Sequence, residues 1–440
     1  MPLLGTRGAA SARGFGFTAL TGIGGPYWIG TLGDGNYLQY GYGVTVDTSG
    51  NMYFTGSSGS YNGNDAQNAW FVAKYNTSGV RQWQKYLGQL PNYIESFAIT
   101  VDAAGNVYPV GYMTNNRTVV KLNPSGVVQW SRSISFTNGG SGRAYAVAVD
   151  SSSNVYLSGY GPNTIGTQTG AGINKFDNTP TLQWFTTYYP NLDTALGTGV
   201  AVDSSGNIYM SVYIDADPNY GIVVKLNSSG ALQWDKTINT GGYDRANAIS
   251  LDSSNNVYVA GRINGLSSSG ACALFKFNSS GTLQWQRKIG SNATMSYKGV
   301  AVDSSGNIYA AGDAPGSQTI ITKYNSSGVI QWQRNISAGA NNVGVNAISV
   351  DISGNIYISG YANIPVRSFF FAKLPSDGSK TGTYNVGGVS FTYAASSYTE
   401  AVSAASVYAS GNSTQSPATS VTTPTFTLAN ASLTSSVTTL

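Results

Sequence analysis

Ala301-Val302-Asp303-Ser304-Ser305-Gly306-Asn307-Ile308-Tyr309 is one of seven versions of a single phrase in this 440-residue chain. Its acid recurs at Asp47, Asp102, Asp150, Asp203, Asp252, Asp303 and Asp351. Six residues after each stands a tyrosine: Tyr53, Tyr108, Tyr156, Tyr209, Tyr258, Tyr309 and Tyr357. An asparagine precedes every one of those tyrosines by two residues, from Asn51 to Asn355. The phrase is two apolar alternations flanking an Asp-x-x-Gly turn. That is a tight hairpin: the aspartate bonds the turn backbone, and the glycine supplies the left-handed residue the turn needs. In the fifth repeat Asn255 replaces that glycine, and asparagine is the next residue to tolerate this conformation.

A second phrase follows in each repeat: two apolar residues, then Lys-x-Asn-Ser-Ser-Gly-x-x-Gln-Trp. Its lysines are Lys74, Lys121, Lys175, Lys225, Lys276, Lys323 and Lys373. Its tryptophans are Trp83, Trp130, Trp184, Trp234, Trp285 and Trp332. The third repeat departs here, with Asp177-Asn178-Thr179-Pro180 in place of the glycine turn. Each repeat thus holds four period-two runs, A to D, and successive repeat aspartates are 48 to 55 positions apart. Seven four-strand units of about fifty residues predict an all-β fold. The expectation is a seven-bladed β-propeller of four-stranded blades over residues 27–380, with an extended arm at 1–26 and a Ser/Thr-rich tail at 381–440.

Lys373 is followed by Pro375-Ser376-Asp377-Gly378 and no Gln-Trp, whereas Trp28 stands ahead of the first repeat in Tyr27-Trp28-Ile29-Gly30. The surplus tryptophan is read as the missing D strand of the seventh blade. Pairing it beside the Lys373 strand closes the ring and hides two edges. The rival reading takes Thr383-Tyr384-Asn385-Val386 as that strand.

Strand polarity places the uniform A–B and C–D turns on one face and the variable B–C and D–A connections on the other. Variable loops on a rigid frame carry specificity. The candidate ligand residues are therefore Tyr61 in the first B–C loop, Tyr188 and Tyr189 at the third D–A loop, and Asp215, Asp217 and Tyr220 in the fourth B–C loop. The seven repeat aspartates are read as turn caps, and the seven tryptophans, Trp28 included, as packing between blades. Two loop carboxylates are weak evidence for calcium.

Composition excludes more than it proposes. The chain has no histidine, which removes the commonest general base and transition-metal ligand. Glu95 and Glu400 are its only glutamates. Cys272, the single cysteine, lies in an apolar run and reads as a buried thiol. Net charge is +4 with a tenth of residues charged, too sparse and scattered for a nucleic-acid surface. No catalytic residue, cofactor or metal is expected, nor insertion in a membrane. The first residues lack the basic start and apolar middle of a secretory signal. That favours action in the cytoplasm, or export inside a particle released by lysis.

The repeats resemble the bacterial seven-bladed propeller repeat family, with Asp-x-x-Gly-Asn-x-Tyr, then Lys, then Gly-x-x-x-Trp. The resemblance covers roughly residues 27 to 380 and implies fold more than function. Gly5-Thr6-Arg7-Gly8-Ala9-Ala10-Ser11-Ala12-Arg13-Gly14-Phe15-Gly16-Phe17-Thr18 resembles the N-terminal segment of bacteriophage tail and fibre proteins. That resemblance implies a non-enzymatic virion structural protein of a tail fibre or surface appendage, with the propeller as a display, receptor-binding or glycan-binding module. Its partners would be other virion proteins, through residues 1–26 and 381–440, and a host surface glycan. Homo-oligomerisation is expected with it. The alternative is a bacterial extracellular lectin-like adhesin.

Overall fold

The computed structural model describes residues 27–33, 39–58, 69–88, 94–136, 141–162, 169–189, 194–263, 270–290, 295–364, 366–386, 388–396, 398–401, 405–408, 413–415, 419–422, 427–430 and 434–439. Seven antiparallel sheets form a ring. In blade 1, strand A is Gln39–Val46, B is Met52–Ser58, C is Ala69–Tyr75 and D is Arg81–Gly88. The A strands of blades 2 to 6 are Ile94–Val101, Arg143–Val149, Thr194–Val202, Arg245–Leu251 and Ser296–Val302. Their D strands are Val128–Phe136, Leu182–Tyr189, Leu232–Asn239, Leu283–Ile289 and Ile330–Ser337, and strand C of blade 2 is Asn116–Leu122. Blade 7 takes A, B and C from Val343–Val350, Ile356–Ile364 and Val366–Leu374. Every A strand abuts the A strands of both neighbours, so the seven line the axis.

The fourth strand of blade 7 is Trp28–Gly33. Trp28 lies opposite Lys373, in the register that places Trp83 opposite Lys74 and Trp332 opposite Lys323. The rival segment, Gly382–Val386, instead pairs with Val389–Ala395 on the outside of blade 6. Closure is therefore non-covalent, and its seam with blade 1 is unusually aromatic. Phe54 stacks on Phe371 with ring centres 4.8 Å apart, Phe71 meets Phe369 at 4.8 Å, and Trp28 meets Tyr75 at 6.4 Å. Such ring pairs add to the free energy of burial alone.

Local chemistry fixes the hairpins. Gly50 N–H donates to the Asp47 carbonyl, and Asp47 N–H to that of Asn51, with Gly50 at φ +79°. Asn255 takes the same left-handed position at +61° and Ser153 at +60°. Because each blade is covered on both faces, its B strand is buried along its length, as from Ile208 to Ile214 in blade 4.

The tail, residues 381–440, is the expected contact with other virion proteins. In the described residues it pairs with this chain's own blades. Val389–Ala395 adds to strand D of blade 6, and Glu400–Ala401 to that of blade 5. Ser406–Tyr408, Ser413–Gln415, Thr419–Thr422 and Thr427–Asn430 follow on blades 4, 3, 2 and 1. Thr434–Thr439 ends the circuit on Trp28–Gly33. The tail thus runs round the ring against chain order, laying a fifth strand on each blade. Each D strand presents unpaired N–H and C=O groups that invite another strand, and a tethered segment reaches them first. Backbone pairing demands little of the side chains, so Ser/Thr-rich sequence suffices. Where the belt begins it also packs: Val386, Phe391 and Tyr393 are buried, and Phe391 stacks on Phe370 at 5.4 Å.

Candidate ligand-binding mouth

The repeat aspartates are fully engaged. In every blade one carboxylate oxygen accepts two turn N–H groups. The other accepts the asparagine amide and the tyrosine hydroxyl. In blade 2 these are Ala104 and Asn106 N–H at 3.0 and 2.8 Å, and Asn106 Nδ2 and Tyr108 Oη at 2.8 Å each. Partial burial raises the Asp102 carboxyl, but the asparagine and tyrosine hydrogen bonds outweigh it and leave the group below its ordinary value. Asp150 and Asp252 follow the same pattern. Burial, with the Asp47 charge beside it, pushes the Tyr53 hydroxyl far up.

Tryptophan and lysine join neighbouring blades. Trp234 Nε1 and Lys225 Nζ both donate to the Ser279 carbonyl of blade 5, at 3.2 and 3.0 Å. Lys225 also lies over the Tyr209 ring. Trp83, Trp184, Trp285 and Trp332 reach Pro124, Ser228, Ser326 and Ser376 in the same way, and Trp28 reaches Thr77. On blade 2 it is Arg132 Nε that donates to the aberrant turn, at the Pro180 carbonyl at 3.1 Å, and the buried Trp130 Nε1 has no hydrogen-bond partner. Cys272 is buried, and burial raises its thiol well above the usual range.

The loop candidates fall into different environments. Tyr61 lies outside the described residues. Tyr188 is wholly buried between blades 3 and 4, donating to Asp235 Oδ2 at 2.7 Å, and so is withdrawn from any ligand. Its position closes a D strand whose side chain turns toward the next blade. The backbone of Tyr189 pairs with Ser413. Asp215 and Asp217 are exposed, accepting from Tyr213 Oη at 2.9 Å and Tyr243 Oη at 3.1 Å. Tyr220 is half-buried against the cluster between blades 3 and 4. Among the described residues no three His, Cys, Asp or Glu side chains converge as metal ligands.

The structure brings together residues that the motifs did not single out. Each A strand carries a bulge five residues before its repeat aspartate. The bulged residues are Tyr42, Phe97, Tyr145, Thr198, Asn247, Lys298 and Asn346. A bulge re-aims one side chain, and here seven are set around the axis. On blades 1 to 3 they are aromatic and touch in sequence: Tyr42 to Phe97 at 5.4 Å and Phe97 to Tyr145 at 5.0 Å between ring centres. On blades 4, 5 and 7 they clamp the next blade. Thr198 Oγ1 donates to the Ala246 carbonyl, Asn247 Nδ2 to that of Tyr297 and Asn346 Nδ2 to that of Gly41, at 2.6, 2.7 and 2.8 Å.

The aromatic arc extends at both ends. Tyr145 meets Tyr160 at 5.9 Å; Tyr42 stacks on Tyr40 at 5.8 Å and 3°, and Tyr40 meets Tyr361 at 6.4 Å. All six rings are half-buried. Arg367 lies 4.7 Å from the Tyr40 ring centre and 4.5 Å from that of Tyr361. Arg143 lies over Tyr112 and 3.7 Å from Glu95, and Arg245 over Tyr213. On the opposite side Lys298 faces Asp313 at 3.5 Å; burial raises that carboxyl, with Lys298 opposing. These residues lie toward the starts of A strands or the ends of B strands, and Arg367 at the start of a C strand, so the mouth opens on the face of the variable connections. Flat half-buried rings beside guanidinium and hydroxyl groups suit a ligand with C–H faces and many hydroxyls. The missed signal was a column of the repeat, five residues before the aspartate, that changes from blade to blade.

A family model described as Beta-propeller repeat matches residues 284–317. No curated protein matches the chain. Among solved structures, the β-propeller domain of the Trilobed protease from Pyrococcus furiosus is similar at 10% identity and TM-score 0.45, over 76% of this chain and 93% of that one. Sqt1 from Chaetomium thermophilum is similar at 9% identity and TM-score 0.44, over 82% and 97%. The tail fiber of a Staphylococcus aureus phage is similar at 10% identity and TM-score 0.22, over 77% and 91%.

Proposed function

We propose that this chain is a non-catalytic display and recognition module of a bacteriophage particle, binding a host-surface glycan at the axial mouth. The observation that carries this reading is the polarity of the ring. The aromatic arc opens on the variable face. Trp28 starts its D strand, and Thr439 ends the belt, on the opposite face, where they are paired with each other. The chain therefore enters the ring at Tyr27, opposite the mouth, so that a particle anchored through residues 1–26 would present the arc outward. The resemblance of residues 5–18 to attachment segments of tail and fibre proteins supports the anchor. The aromatic arc supports the glycan, since sugar C–H faces stack on such rings while hydroxyls take the flanking donors.

The test measures purified protein on immobilised host polysaccharide, together with mass spectrometry of purified particles. Saturable binding that Tyr145→Ala weakens at least about tenfold, with the chain present in particles, is the expected result. Absence from particles sinks the virion assignment, and no saturable binding sinks the glycan assignment. A second reading, an exported bacterial adhesin, is favoured by one observation: the belt pairs with its own blades and leaves the propeller self-contained. Recovery of the chain from the cell surface and not from particles selects it.

A further inference from the structure

Arg117, on strand C of blade 2, is wholly buried and crosses to blade 3. Its Nη2 donates to the carbonyls of Leu157 and Gly172 at 2.8 and 3.1 Å, and the guanidinium lies 5.2 Å from the centre of the Phe185 ring. The seat is shaped for it: a Cβ at Gly172 would stand 2.6 Å from Nη1. Among the described residues no carboxylate pairs with Arg117. Burial alone pushes the guanidinium down, to about 9, so it remains a cation at neutral pH. An unpaired buried charge is among the costliest features a fold can carry.

The surroundings are polar and also unpartnered. Arg117 Nε and Nη1, both amide atoms of Asn174, and Thr187 Oγ1 are buried without hydrogen-bond partners. Strand register puts them on one face. Asn174 lies opposite Leu157 and Phe185, and Thr187 opposite Gly172, the residue on which Arg117 rests. Residues opposite one another share a face of the sheet. The free valences are mostly donors: the guanidinium N–H groups, the asparagine NH₂ and the threonine hydroxyl, against one amide oxygen. A donor-rich set around a fixed positive charge selects an anion over a cation or a water.

We propose that a small inorganic anion of the halide class, chloride in ordinary buffers, binds between blades 2 and 3 against Arg117, Asn174 and Thr187. It neutralises the guanidinium and ties the two blades together. This site is separate from the axial mouth and does not depend on the glycan reading.

The test uses the full chain, dialysed into sodium gluconate and compared with sodium chloride and sodium bromide at matched ionic strength. The unfolding midpoint should rise by about 1–3 °C for each tenfold increase in halide. Arg117→Met should remove that response. Should this variant fail to fold, Thr187→Val and Asn174→Leu carry the same comparison, each with a weakened response. Crystals grown in bromide should show an anomalous peak within hydrogen-bond distance of Arg117. A midpoint indifferent to halide, or a water at that place in the bromide crystal, overturns the proposal. So does a halide response that is absent in the native chain and appears only in Asp193→Asn, the nearest acid in sequence after strand D of blade 3, which would make that side chain the counter-ion.

Discussion

Trp28 and Lys373, from opposite ends of the repeat array, face each other across one antiparallel strand pair, and both reach the Thr77 carbonyl of blade 1 at 3.4 Å. One blade is thus built from the first and last segments of the ring, and the seam it makes with blade 1 is bridged by the same tryptophan–lysine pair that joins other blades. Trp28 is 1% exposed, whereas Trp285 is half-buried. Trp28→Ala should therefore cost about 3–5 kcal/mol, more than Trp285→Ala. Urea unfolding of both variants checks this. Equal costs would mean that the seam is no more demanding than any other blade junction.

The ring was legible because its framework columns are chemically obligatory. Each aspartate must accept four hydrogen bonds and each left-handed residue must be Gly, Asn or Ser, so the phrase survives in every blade. The mouth was not legible for the converse reason. Tyr42, Phe97, Tyr145, Thr198, Asn247, Lys298 and Asn346 share a column but no side-chain type. A bulge fixes where the side chain goes and leaves its chemistry free. The belt was hidden for a third reason: backbone pairing of segments such as Ser413–Gln415 needs no pattern that a sequence displays. Tyr188 misled because a loop-edge tyrosine reads alike whether it turns outward or, as here, inward to Asp235.

Asp102 gives the next expectation. Asp102→Asn turns one acceptor oxygen into a donor facing Asn106 and Tyr108, and should cost about 2–3 kcal/mol. The pH dependence has a definite sign. Hydrogen bonds hold Asp102, Asp150 and Asp252 below their ordinary values despite burial. Their contribution is complete above the unfolded value of about 3.9 and is lost as pH falls through the folded values. Asp313, raised by burial, acts in the opposite sense. Stability should hold from neutral pH to about 5 and fall below about 4, and Asp102→Asn should make the acid limb shallower. A decline beginning above pH 6 would contradict the assignment.

Trp83 and Trp130 form a natural comparison. Trp83 Nε1 donates to the Pro124 carbonyl at 2.9 Å, whereas the buried Trp130 Nε1 has no hydrogen-bond partner. Replacing each by Phe keeps a ring and removes the N–H. Trp83→Phe should cost about 1 kcal/mol more than Trp130→Phe, the net worth of one hydrogen bond. Chemical denaturation reads the difference, and a larger loss at Trp130 would refute it.

Two truncations separate the packed part of the belt from the paired part. A chain ending at residue 396 keeps Val386, Phe391 and Tyr393 in the core of blade 6. A chain ending at 380 loses them, and Phe391→Ala alone should cost about 3–4 kcal/mol. The longer truncation product should stay folded while uncovering six D-strand edges, and should self-associate through them. Light scattering and amide exchange on D strands report this. A monomer with unchanged protection at those strands would mean that the belt adds nothing.

The last expectation separates recognition from stability within one ring of residues. Tyr145 and Asn247 occupy the same bulge position on blades 3 and 5. Tyr145 is half-buried and belongs to the aromatic arc, with Phe97 at 5.0 Å and Tyr160 at 5.9 Å. Asn247 holds blade 6 through Ser296 Oγ at 3.0 Å and the Tyr297 carbonyl at 2.7 Å. If the arc is the ligand platform, Tyr145→Ala should weaken glycan binding at least about tenfold, equivalent to about 1.4 kcal/mol. Asn247→Ala should leave binding within about twofold and lower stability by about 1–2 kcal/mol, through the lost hydrogen bonds to Ser296 and the Tyr297 carbonyl. Arg367→Ala, which removes the cation from the Tyr40 and Tyr361 faces, should fall with Tyr145→Ala on the binding axis. Glycan affinity and urea midpoints measured on the three variants decide between the roles. If all three lose stability and binding in proportion, the arc is packing and the ligand site lies elsewhere on the variable face.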